Sequence, residues 1–149
     1  MLRRPTMLLM ALTAAACAAD SPPDQTAEGG DAMQTARIEV VEPAADAVVG
    51  PDVHVTFNAV GVEVEPATGT RMAGHGHIHL FIDHDLTPAG EPIPAGVDGI
   101  VHLGTGATDY SITGLAPGEH RLIAVLGYGD HVPMEDVATD TVRIVVQAP

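Results

Sequence analysis

At 149 residues the chain has room for one domain with a modest core, and its formal charge of −14 excludes nucleic acid as a natural partner, because neutralising phosphate needs a basic surface. The same sign disfavours direct adhesion to anionic lipid and concentrates cations near the surface. A single cysteine rules out an internal disulfide, so the fold must rest on packing.

Residues 1–16 read MLRRPTMLLMALTAAA, with Arg3 and Arg4 ahead of an apolar stretch from Met7 to Ala16. That pattern predicts a secretory signal, too short to remain as a membrane-spanning helix. Cys17, the lone cysteine, follows small Ala15 and Ala16, the position at which a lipoprotein signal peptidase leaves an acylated new N-terminus. The expectation is an exported, lipid-anchored protein of the cell envelope, on the periplasmic face or the cell surface. Removing the leader leaves four arginines against all 20 acids, a balance of −16 with the histidines neutral.

Residues 17–36 combine proline, glycine and acids with hardly any large apolar side chain. Such a segment cannot repay the entropy of folding and is expected to be a disordered acidic tether. From residue 37 to 149 the pattern changes to short apolar alternations separated by Pro, Gly and Asp, with no helical period. The fold class expected is all-β, an immunoglobulin-like antiparallel β-sandwich of about seven strands.

The strands fall near RIEVV, DVHVTFNAV, HGHIHLFID, GIVHL, DYSIT, HRLIAVLG and TVRIVV. In the second, Val53, Val55 and Phe57 share one face and His54 lies on the other. In the third, Ile78, Leu80 and Ile82 face one way, while His75, His77, His79 and Phe81 face the other. The sixth is apolar on both sides, as a central strand should be.

Nucleophile chemistry finds little support. Ser21 and Ser111 are the only serines, and neither lies in G-x-S-x-G. The run DHDLTPAGE lacks the spacing of a calcium loop, and the short GTG and GYG runs are not phosphate loops. No enzymatic activity is expected, a copper-dependent redox activity being the weaker reading.

Histidine carries the signal. His75, His77 and His79 recur at every second position, which on a strand places neighbours about 6.6 Å apart on one side. If the third and sixth strands pair as in immunoglobulin-like sandwiches, the loop GYGDHVPMED hangs over that face and brings His131 and Met134 to it. Imidazole suits zinc or Cu(II), and added thioether suits Cu(I). The candidate metal ligands are therefore His75, His77, His79, His131 and Met134, with His102 on a neighbouring strand and Met72 entering the same end; the ion expected is copper or zinc. His120, opening a strand after P-G-E, is expected to pack or to bond a nearby carbonyl, and His54 and His84 to be bystanders. The competing reading is a structural or interaction module of the envelope, its histidines a surface patch with no bound metal.

The run GHIHLFID (76–83), with EPIPAG (91–96), VHLG around His102, LAPGEHRL around His120 and LG…HVP around His131, resembles an uncharacterised family of bacterial envelope proteins with a GHHHLLID-type signature. The resemblance implies an exported immunoglobulin-like domain and singles out His77, His79, His102, His120 and His131. It brings no activity with it. Ile78 stands where that family shows its middle histidine, and Met134 where it shows another.

Overall fold

The computed structural model describes residues 35–148. The expected signal peptide, Cys17 and nearly all of the tether lie outside the described residues. Among the described residues nine strands form: β1 (Arg37–Glu42), β2 (Ala47–Val49), β3 (Val53–Val60), β4 (Glu63–Val64), β5 (His75–Ile82), β6 (Ile100–Leu103), β7 (Asp109–Ile112), β8 (Gly118–Gly127) and β9 (Asp140–Val146). Seven of them are the strands expected from alternation. The two additions, β2 and β4, have three and two residues, too few for a period-2 pattern to show.

The strands make a sandwich. One sheet has three strands in the order β1-β3-β7, and the other runs β2-β9-β8-β5-β4, with β6 also paired to β5. Every pairing is antiparallel except β2–β9 and β4–β5. Alternation aims Val55, Phe57 and Ile112 of the small sheet at Ile78, Leu80, Leu122, Leu126 and Ile144 of the large one, and these form the main core. Burying such side chains contributes about 1.5–3 kcal/mol each and is the main source of stability.

A second, smaller cluster lies on the outer face of the large sheet, where Phe81, Ile93, Ile123 and Val125 pack with Ile100. Strand β5 is therefore covered on both sides, with all six of its central residues buried. The outer cover is the long connection between β5 and β6, which returns across the sheet and plants Ile93, flanked by Pro92 and Pro94, against it. The histidine face of β5, which alternation alone would leave open to solvent, thus has a floor and a wall.

Candidate metal centre

Strand β5 supplies the floor of the site. His77 and His79 are 0% and 1% exposed, on the face opposite Ile78 and Leu80. Register then sets their neighbours: His77 stands opposite Gly127 of β8, and His79 lies between Val125 of β8 and His102 of β6. His102 is exposed as a residue and forms the rim.

The fourth ring arrives from the loop after β8. His131 donates its N–H to the carbonyl of Tyr128 at 2.8 Å, Tyr128 N–H donates to Val132 at 2.9 Å, and Gly127 bridges to Pro133. Closing so tight a turn requires a left-handed residue, and His131 has φ 67°, a conformation that costs a non-glycine residue about 1 kcal/mol. Surrounding contacts hold it there. The Arg71 guanidinium lies 4.8 Å from the Tyr128 ring centroid and pairs with Asp130 at 3.0 Å, while Ile93 N–H donates to the His131 carbonyl at 2.8 Å.

The result is four imidazoles in mutual contact. All six centroid separations among His77, His79, His102 and His131 fall between 4.7 and 5.9 Å. The Nε2 atoms of His77 and His79 are 2.9 Å apart, and ligand nitrogens of His77, His79 and His102 lie within 4.8 Å of one another. Two nitrogens on a tetrahedral ion with bonds of about 2.0 Å stand roughly 3.3 Å apart, so the His77–His79 pair at 2.9 Å has to open by a few tenths of an ångström, and any pair among His77, His79 and His102 has to close by at most about 1.5 Å, to hold a metal ion.

Electrostatics favours the ligand form of these rings. Burial, followed by the like charges His102 and His131 would carry, lowers His77 to about 4. Burial and then His77, His102 and His131 lower His79 to about 3; burial and His131 likewise lower His102. At neutral pH these three are free bases with lone pairs to give. Their packing leaves polar atoms wanting partners, since Nδ1 of His77 and of His79 is buried without a hydrogen bond among the described residues, a cost of about 1–3 kcal/mol each.

The remaining candidates sit elsewhere. His75 shares the strand face but turns its Nδ1 toward Glu65 at 3.4 Å and Glu63 at 3.8 Å, and it makes no ring contact with the other histidines. Met134 belongs to the main core at 4% exposure, its Cε under Gly76 on the inner face of β5. The loop that presents His131 outward thus carries Met134 inward, and the thioether expected beside the imidazoles is a core filler instead. Met72 is half exposed. His54 meets Ser111 at 3.1 Å on the outer face of the small sheet.

His120 bonds a carbonyl as expected, but its role is larger. Its Nε2 donates to Ala116 O at 2.7 Å and its Nδ1 meets Asp83 Oδ2 at 2.6 Å, while Asp83 Oδ1 accepts from Arg121 N–H at 2.8 Å. This clamp ties the end of β5 to the start of β8, six residues along β5 from His77. Burial would lower the His120 pKa, yet the bonds to Asp83 and Ala116 outweigh it and the net shift is upward.

Residues 55–147 match the model of a domain of unknown function, DUF4399. The chain belongs to that family. Among solved structures, the DUF4399 chain is similar to the fibronectin(III)-like modules of CbhA from Clostridium thermocellum, at 14% identity over 74% of this chain and 95% of that one, with a TM-score of 0.42. It is also similar to the extracellular domain of BT4673 from B. thetaiotaomicron, at 9% identity over 77% of this chain and 15% of that one, with a TM-score of 0.45. No curated protein matches the chain.

Some parts of the DUF4399 site carry only a faint sequence signal. Ile93 as the wall is announced by a lone large apolar residue between two prolines. The glycines at 104 and 127, which lie against the rings of His102 and His79, read in the sequence as ordinary turn punctuation.

Proposed function

We propose that this domain is a metal-binding module of the cell envelope, anchored through Cys17, that holds one divalent transition ion, Zn(II) or Cu(II), on His77, His79, His102 and His131. The observation that carries the reading is that four imidazoles from β5, β6 and the loop after β8 cluster with every ring centroid within 5.9 Å of the other three, the ligand nitrogens of His77, His79 and His102 lying within 4.8 Å of one another. A donor set of neutral imidazoles without thiolate or thioether favours borderline divalent ions over Cu(I). The acidic excess raises the cation concentration around the domain, and His102 on the exposed rim leaves a route by which an ion exchanges. Binding, delivery or storage of metal suits such a site.

The test is stoichiometry. Chelator-stripped protein without an affinity histidine tag should take up one equivalent of Zn(II) or Cu(II) and gain thermal stability by linkage, about 2.7 kcal/mol when free metal is a hundred times its Kd. The His77→Ala, His131→Ala double variant should lose that uptake. Unchanged uptake in the double variant would place binding elsewhere and end this reading. Anchoring is tested separately by fractionation, with Cys17→Ala expected to release the protein from membranes.

A further inference from the structure

Resting on that reading, we infer that Gly104 and Gly127 are positioning residues of the metal site: each leaves out the Cβ that would displace a ligand ring. A Cβ built on Gly104 would fall 2.5 Å from His102 Nε2, closer than a real Cβ approaches, and a tight 3.1 Å from its Nδ1, so the ring must shift. One on Gly127 would fall 3.1 Å from His79 Cδ2 and 3.2 Å from its Nε2, with Ile93 Cδ1 at 3.7 Å behind. Neither glycine has a left-handed backbone. Their reason is therefore space and not conformational freedom, unlike a turn glycine such as Gly114 at φ 70°.

The two positions should respond differently, because the rings they seat differ in freedom. His102 is exposed, so a methyl group at Gly104 pushes its ring out toward solvent at little expense to the fold and removes a ligand. His79 is enclosed at 1% exposure. A methyl at Gly127 therefore has no yielding neighbour and strains the sheet as well as the site. Rings seated by packing need this mould more than most, since the buried Nδ1 atoms of His77 and His79 have no hydrogen bond among the described residues to orient them, whereas metal-ligating histidines are ordinarily fixed by such a bond.

The experiment measures Zn(II) affinity by chelator competition, Co(II) visible absorption as a report on geometry, and the melting temperature of the metal-free protein. Gly104→Ala should weaken Zn(II) about 10- to 100-fold, the range for losing an outer-shell support, alter the Co(II) spectrum and leave the metal-free melting temperature close to wild type. Gly50→Ala, where a Cβ meets open space, is the control for the substitution itself and should change none of these. In a His102→Ala background, Gly104→Ala should have no further effect on affinity. Wild-type affinity and spectrum in Gly104→Ala, or an equal loss with the His102 ring already gone, overturns the inference and leaves the metal reading standing. Failure of wild type to take up either ion overturns the reading itself, and the inference with it.

Discussion

His79 and His102 stand directly opposite one another in the antiparallel pairing of β5 with β6, their rings stacked at 5.0 Å and 22°. Residues so placed have Cβ atoms about 4.5–5.5 Å apart, so strand register alone delivers two of the four rings. The pair is asymmetric, one ring sealed in the sheet and the other at the rim. His102→Ala should therefore cost metal affinity with little change in the metal-free melting temperature. His79→Ala should cost affinity and also about 2 kcal/mol of stability through the cavity it leaves. Chelator competition and thermal melts on the two variants read both quantities, and equal destabilisation by the two would contradict the burial difference.

The depressed values of His77 and His79, about 4 and about 3, predict an acid-sensitive fold. Both are held below the value of an unfolded histidine near 6.5, so between those limits the unfolded chain binds protons that the folded chain does not. Stability from the neutral rings is thus complete above about pH 6.5 and is lost as pH falls toward 4 and then 3, each pH unit and each group contributing about 1.4 kcal/mol at most. Metal binding, which competes with the same protons, should weaken through the same window. Melting curves of the metal-free protein between pH 7 and 4 check the sign, and a His77→Phe, His79→Phe variant should show a flatter profile.

Met134 lies in the main core beneath Gly76, so its sulfur should be irrelevant to metal. Met134→Leu should keep wild-type affinity for Zn(II) and Cu(II) and cost less than about 1.5 kcal/mol, as volume-conserving exchanges do. Met134→Ala should cost about 2–5 kcal/mol. A selective loss of copper affinity in Met134→Leu would show that the loop can turn its thioether outward.

The clamp of His120 with Asp83 and Ala116 lies at the other end of β5, and its pH dependence has the opposite sign. Because the folded pKa of His120 is raised, its stabilisation is present below the unfolded value near 6.5 and fades as pH rises through the folded value. His120→Ala should destabilise the domain at pH 6 by about 1 kcal/mol, the bond to Asp83 being screened because that carboxylate is half exposed, and by less at pH 8. Zn(II) affinity should stay at wild type, since the clamp is about 20 Å along the strand from His77. A drop in affinity at temperatures where the variant is fully folded would link the two ends.

Alternation with proline and glycine punctuation was enough to read the seven longer strands and the sandwich class, because period 2 is a local property of a half-buried strand. It also gave the histidine face of β5, since which side chains share a face follows from sequence parity. Parity could not say how that face is closed. The wall at Ile93, the left-handed turn that aims His131 outward and Met134 inward, and the diversion of His75 to Glu65 all depend on contacts between segments far apart in the chain. The resemblance marked His120 together with the cluster histidines, yet only the tertiary structure separates them: strand register and closure of the loop after β8 gather four rings and leave the fifth in a clamp at the far end. Side-chain direction along a strand is fixed by the backbone two bonds away; meeting at a common point is fixed by pairing and loop closure, which no local spacing encodes.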